Sequence, residues 1–220
     1  MTALAYPLSL AEFMDRLLIS SAPFDLPEQV EIAGTAGGEI LKSEIAARLW
    51  TGSVRLGRMT AEEARPIRAR INLLRSAGAS FLAYDPKRAF PAGDPGGTIL
   101  GAATPVIDTL DADARLIALG GLPVGYVLAA GDMLSFQYGT NPVRYALHEV
   151  VEDSATADGT GVTPLFEVRP AIRPGAVTGT AVALTWAHCK ATLVPGEIEV
   201  GTTRRTITEG VAFRFIQTLR

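Results

Sequence analysis

The segment from Trp50 to Pro86 constrains the fold more than any other part of the chain, because it predicts a strand, a helix and a second strand in succession. Small or apolar residues alternate with polar ones from Trp50 to Leu56, and this period of two is typical of a half-buried strand. Four apolar residues then follow at helical spacing: Ala64, Ile67, Ile71 and Leu74. The second strand is predicted from Phe81 to Tyr84, before Asp85-Pro86.

Three residues set the ends of the predicted helix. Thr60 and Glu63 have the spacing of a capping box, in which each side chain satisfies a free amide of the first turn. Gly78 is placed to end the helix in a left-handed conformation. Pro66 lies too deep for a helix capped at Thr60, so we expect either a distorted first turn or a regular helix that begins at Pro66.

Length, charge and cysteine content exclude several classes of protein. A chain of 220 residues can form one large or two small domains with a real core. Its formal charge of −3 gives no reason to expect direct nucleic-acid recognition or binding to an anionic membrane. We expect no membrane insertion and no signal peptide, because no apolar run is long enough and the N-terminus lacks a basic start. The single cysteine excludes an internal disulfide and fits a reducing compartment.

The rest of the chain predicts mainly strands. The 22 glycines and 14 prolines, set among many alternating segments, indicate frequent turns. One further short helix is predicted over residues 9–19, from a Ser9–Glu12 capping box and an apolar stripe. Residues 34–38 predict a hairpin loop, since their glycines match no phosphate-binding motif.

A long connection and a run of short strands fill the second half. Residues 86–106 are rich in proline and glycine, and we expect this loop to reach a neighbouring subunit. A break at Gly120-Gly121 indicates a domain boundary nearby. The short strands from Gly125 to Ala183, with a tight β-hairpin predicted at residues 158–161, suit a small barrel or sandwich. Residues 210–219 predict a final strand that completes a sheet.

No constellation of residues predicts catalysis. Neighbouring residues of a strand point to opposite faces, so His188 and Cys189 are badly placed as a base and nucleophile. His148 lies alone within a strand, and the cysteine with two histidines falls short of a closed zinc site. Asp108, Asp111 and Asp113 could gather a hard cation, but the segment lacks the glycine and distal glutamate of a calcium loop. We therefore predict no catalytic, cofactor-binding or metal-binding residue, and a protein that is not an enzyme.

The order of motifs resembles a family: the distal tail proteins and related tail-tip, or baseplate hub, components of long-tailed bacteriophages and of phage-like particles such as gene transfer agents. Three stretches carry the resemblance. They are the Trp-x-Gly strand with its helix and FLAYDP segment at 50–86, the LAAGDMLSF, LHEV and ATADGTG segments between 128 and 161, and FEVRPAIRPG at 166–175. No residue of that family is catalytic, so no active site is implied.

The resemblance implies a mainly β (α+β) fold of two domains with one or two short helices. A β-sandwich or tube-like belt domain, residues 1–111 with 189–220, would assemble into a ring around the tail channel. A small β-barrel domain, residues 112–188, would be inserted into it and project outward.

The function implied is that of a structural virion protein. It would form a homo-oligomeric ring, six-fold in the family, that joins the tail tube protein to the tail-tip hub proteins. The protein would be made in the bacterial host cytoplasm and reside in the virion tail.

Two alternatives stay open beside the ring protein, with a small hydrolase a remoter one. The first is a tail tube subunit that stacks into many rings. The second is a tail-borne carbohydrate-binding module, for which exposed aromatic side chains would stack on sugars. The candidates for that stacking are Tyr126, Phe136, Tyr138, Tyr145 and Trp186.

Overall fold

The computed structural model describes residues 4–220 and confirms a mainly β fold. Strands hold 42% of the residues and helices 9%, with a single α-helix. The strands of the first half are β1 (Ile19–Ser21), β2 (Phe24–Asp25), β3 (Val30–Gly34), β4 (Ile40–Glu44), β5 (Thr51–Leu56), β6 (Met59–Thr60) and β7 (Phe81–Tyr84), with α1 (Ala61–Leu74) between β6 and β7. The later strands are β8 (Val106–Leu110), β9 (Leu116–Gly120), β10 (Val127–Ala129), β11 (Met133–Tyr138), β12 (Arg144–Val150), β13 (Ser154–Thr156), β14 (Phe166–Arg169), β15 (Val182–Ala183), β16 (His188–Arg204) and β17 (Ile207–Gln217). Two 3₁₀ helices, Met14–Arg16 and Pro86–Arg88, complete the elements.

The predicted strand–helix–strand segment is confirmed as β5, α1 and β7. The Thr60–Glu63 capping box is present on both sides, and the four apolar helix residues are buried. Because the box fixes the start at Ala61, the expectation that the regular helix begins at Pro66 is wrong; Pro66 lies inside α1 with its ring exposed. Gly78 does have a left-handed φ of 81°, in the turn after the helix rather than at its cap.

The first sheet brings the start of this segment together with the last strands. Its order is β1-β5-β17-β16-β7, with β2 also paired to β5 and β6 to β17. Gly52 faces Phe215 across β5 and β17, and a Cβ at Gly52 would lie 2.3 Å from the phenyl ring. The Trp-x-Gly pattern therefore has a packing reason, since only glycine leaves room for that ring.

The helix predicted over residues 9–19 is wrong. Ser9 and Glu12 form half of the predicted capping box: the Ser9 amide donates to a Glu12 carboxylate oxygen at 2.8 Å, but the Ser9 hydroxyl donates to the same oxygen and does not accept from the Glu12 amide. The turns that follow give only the 3₁₀ helix, because Leu17 is already extended and Ile19 pairs with Leu56 of β5. Phe13 and Met14 are still buried in the hydrophobic core that the first sheet forms with α1, which we call the first core, whereas Leu18 is exposed.

The second sheet curls into a near-barrel around its own core. Its order is β15-β11-β12-β14-β9-β8. Hydrogen bonds from the Ile107 amide to Thr180 and from the Val182 amide to Pro105 join its two edges. The hairpin of β8 and β9 spans residue 111, where the resemblance placed a domain boundary. Asp158 does form the predicted turn, but β13 pairs with β10 and β14 with β12 and β9, so the turn does not join a hairpin.

The loop at 86–106 packs on its own chain. Asp94 is buried at its centre and accepts hydrogen bonds from the Ile99 and Leu100 amides at 3.0 and 2.9 Å. Leu100 belongs to the core of the second sheet, which we call the second core. The loop thus has a role within the subunit, and its length does not require a neighbour to explain it.

Strand β12 joins the two cores. Leu147 packs in the first core. The side chains of its neighbours on the strand, Ala146 and His148, point the other way, toward the second core. The Trp50 indole N–H donates to the Leu147 carbonyl oxygen at 2.7 Å, and the Gln217 side-chain amide donates to Tyr145 at 3.1 Å. The Arg88 guanidinium adds ion pairs to Asp85 at 2.7 Å and Glu149 at 2.6 Å.

Within residues 4–220, the helix of this fold is too short and too polar to cross a bilayer.

Trp50 offers a test of this junction, because it is 1% exposed and packs against Phe24 and the Arg88 guanidinium. We expect Trp50→Ala to lower the free energy of unfolding by about 3–5 kcal/mol, since it leaves a large cavity. Trp50→Phe retains most of the packing but leaves the buried Leu147 carbonyl without its hydrogen-bond donor, so it should cost about 1–3 kcal/mol. Urea denaturation measures both changes. A loss below about 1 kcal/mol for the alanine variant would contradict the role given to Trp50.

Candidate functional site

The predicted separation of His188 from Cys189 is confirmed. Cys189 is fully buried in the first core, and burial raises the pKa of its thiol to about 12. His188 points the other way and bonds through Nδ1 to the Trp186 carbonyl at 2.8 Å. A thiol held protonated and out of reach of the imidazole has no nucleophilic chemistry.

His148 is a buried structural residue with one unusual feature. Its Nδ1 donates to the Pro170 carbonyl at 2.7 Å, and its ring stacks on Phe136 with 5.3 Å between centroids. The opposite nitrogen, Nε2, and the Tyr138 hydroxyl are both buried without a hydrogen-bond partner among residues 4–220, beside one small cavity of about 10 Å³. Burial, and secondarily the charge of Arg173, lowers the pKa of His148 to about 4, so the imidazole is neutral near pH 7.

The acidic residues of the β8–β9 hairpin do not gather around a cation site. Asp108 and Asp113 are exposed, and the Asp111 carboxylate accepts from the Asp113 amide at 3.3 Å. In the part of the chain that the structure describes, no three histidine, cysteine, aspartate or glutamate side chains lie close enough to hold a metal.

The five aromatic candidates for sugar stacking do not share one exposed face. Tyr126, Phe136 and Tyr138 are buried in the second core, which makes them packing residues. Tyr145 is half-buried in a cleft of about 480 Å³ beside β15 and His188. Trp186 is the most exposed of the five, at 40%.

Trp186 lies at an open cleft of about 490 Å³ that is lined mainly by the start of the 86–106 loop. Its indole makes edge-to-face contacts with Tyr84 and Phe90, at 5.0 and 5.4 Å between centroids. Burial, with the Asp15 carboxylate as a second cause, raises the pKa of Tyr84 to about 12, so its hydroxyl stays protonated. Trp186 also has a φ of 53°, which is strained for a bulky side chain. No sequence signal marks that conformation.

A second surface was missed by the sequence analysis. Strands β3 and β4 pair only with each other and form a two-stranded hairpin that lies outside both cores. The hairpin loop predicted over residues 34–38 joins its strands, and aliphatic side chains on both of its faces are exposed by more than half: Ile32, Ile40, Leu41 and Ile45. An isolated hairpin of this kind is marginally stable in water. The predicted hairpin loop could not show that no sheet of the same chain covers the two strands.

The outer half of β16 provides a third exposed feature. Only residues 188–191 of this strand pair with β7, so residues from Ile198 to Arg204 have β17 on one side and a free edge on the other. Beside that edge lies a cleft of about 390 Å³ between β16 and the end of α1. Free strand edges are sites at which another chain can pair or pack.

No protein-family model and no curated protein matches the chain.

The neutral buried imidazole predicts a pH-dependent stability. In the unfolded chain a histidine takes up a proton near pH 6.5, whereas folded His148 does so only near pH 4. The stabilisation is therefore fully present above pH 6.5 and is lost as the pH falls below it, by about 1 kcal/mol between pH 7 and 5.5. Urea denaturation at both pH values should show this loss in the parent and a smaller one in His148→Phe, which keeps the stacking on Phe136. Equal losses in the two proteins would contradict the assignment.

Proposed function

We propose that this protein is a structural subunit of a phage-type tail, which assembles into a ring at the distal end and joins the tail tube to the tail tip. The observation that carries the proposal is the β3–β4 hairpin, which displays aliphatic side chains on both faces with neither core beneath it. Exposed aliphatic residues on a hairpin without a third strand call for a covering partner. The resemblance to distal tail proteins supplies the kind of assembly.

A ring is the closed form of such an assembly. The hairpin and the free edge of β16 are different surfaces of one subunit. A contact between unlike surfaces is heterologous, and it gives a ring if the rotation closes and a filament if it does not. A tail tube subunit also forms closed rings, and it differs from the distal ring protein in that its rings stack.

Among residues 4–220, the lack of an acid, base and nucleophile in contact with one another does not by itself support the proposal. The reactive groups of Cys189 and His148 are buried and stabilise the fold. Both side chains contribute to packing, and His148 also anchors the Pro170 turn. The surface features therefore carry the proposed function.

Removal of the hairpin tests the proposal. Val30 and Glu44 lie opposite each other on β3 and β4, so an Asn-Gly turn can replace residues 31–43 and join these two residues. We expect the parent to form closed rings by electron microscopy and light scattering, and the shortened variant to remain a folded monomer by circular dichroism. Assembly of the shortened variant equal to that of the parent would contradict the role of the hairpin, and a parent that forms filaments would favour the tube subunit.

The exposed indole of Trp186 favours one second candidate, a carbohydrate-binding surface. A tryptophan held by two aromatic neighbours at an open cleft is a suitable platform for a sugar ring. If the cleft binds bacterial surface glycans, Trp186→Ala should weaken binding at least about tenfold on immobilised glycans. Tyr6→Ala, which removes an exposed aromatic ring outside the cleft, is the matched control. Absence of glycan binding by the parent, or equal binding by both variants, would remove this candidate.

A further inference from the structure

One face of the β3–β4 hairpin is acidic and aliphatic. The register places Glu31 and Ser43 on this face, followed by Ala33 with Leu41, and Glu39 continues the alternation at the turn. Both glutamates and Leu41 are exposed. The only lysine of the hairpin, Lys42, belongs to the opposite face, where it pairs with Glu28 at 3.2 Å. The face therefore combines negative charge with an apolar centre.

A basic surface of matching character lies on α1. Arg65, Arg68 and Arg75 follow one another at spacings that place them along one side of the helix. Among residues 4–220, none of these three guanidinium groups forms an ion pair. One N–H group of Arg75 donates a hydrogen bond to the side-chain oxygen of Asn72 at 3.3 Å. These arginines are thus available to carboxylates from another molecule.

A cleft with a mixed polar and apolar lining adjoins the basic side of the helix at its C-terminal end. Arg75 lines it together with Leu74, Leu193 and Ile198, and its volume is about 390 Å³. This is the cleft beside the free edge of β16. It offers a site for an aliphatic side chain next to a positive charge.

We propose that the acidic face of the hairpin of one subunit docks on this surface of a second copy, with Leu41 in the cleft and Glu31 and Glu39 opposite Arg68 and Arg75. Glu31 lies four strand residues from the position opposite Glu39, which is about 13 Å along the hairpin. Arg68 and Arg75 are seven helix residues apart, or about 10.5 Å. Long arginine side chains bridge the small difference. Leu41 lies between the two carboxylates along the hairpin, and the cleft lies beside the Arg75 guanidinium at the end of α1.

The choice of a second copy follows from the complementarity of two surfaces that every subunit carries. The hairpin supplies the negative charge and the aliphatic residue, and α1 with β16 supplies the positive charge and the cleft. Because the surfaces differ, each subunit donates its hairpin to one neighbour and receives that of another. The inference rests on the proposed function and names the contact that closes the ring.

Charge reversal tests this contact. We expect Glu31→Arg with Glu39→Arg, and separately Arg68→Glu with Arg75→Glu, to raise the concentration of half-assembly at least about tenfold in sedimentation velocity. Mixing the two variants should restore mixed assemblies, because each supplies the surface that the other has lost. Glu152→Arg with Asp153→Arg makes the same change in charge on an exposed loop and should assemble like the parent.

The outcomes separate this contact from the proposed function. Rings of both reversed variants at the parent's concentrations would overturn the contact and leave the ring protein standing, with the hairpin covered by a different tail protein. A mixture that fails to recover, from variants that are folded by circular dichroism, would also overturn it. A parent that stays monomeric at every concentration would overturn the proposed function together with the contact.

Discussion

The pleat of β11 and β12 is the constraint on which the rest of the structure depends. Both faces of this strand pair are buried, with Met133 and Leu147 in the first core and Leu134, Phe136 and Ala146 in the second. A slip of one residue would exchange the two sets of side chains between the cores. The Trp50 indole and the Gln217 side-chain amide help to fix that register, because each donates a hydrogen bond to a backbone carbonyl of β12. The barrel-like sheet and the first sheet are thereby held to one mutual arrangement.

In contrast to the two cores, the β3–β4 hairpin is attached to the rest of the protein only at its base, beside Val30 and Glu44. Arg48 donates to the carbonyl oxygens of Leu26 and Pro27, and the Ile45 amide donates to Gln29 at 3.0 Å. Beyond these bonds its side chains have no core beneath them. The proposed docking on α1 of a second copy would cover this extension.

Sequence reasoning succeeded where short-range patterns decide the structure. The Thr60–Glu63 capping box is present as predicted, although Pro66 left the start of the regular helix open between two alternatives, and Phe81–Tyr84 was predicted at its true bounds. It failed for residues 9–19, where pairing of Ile19 with β5 overrode a helical stripe. The partners of β13 and β14 are likewise long-range choices that the local turn at Asp158 does not contain. The candidate surfaces were out of reach for another reason: neither the left-handed backbone of Trp186 nor the exposure of Leu41 has a signature in residue type.

The clearance between Gly52 and Phe215 has a consequence for the order of events during synthesis. These two residues are neighbours across β5 and β17, yet all strands of the second sheet lie between them in the chain. Strand β5 thus leaves the ribosome well before its principal partner exists, whereas β8 to β15 contact one another over shorter separations. Contacts between residues close in sequence form faster, so we expect the near-barrel to form before β5 acquires its partner β17. We therefore expect the first sheet to close last, and Gly52 leaves the space that the Phe215 ring needs when β17 pairs with β5.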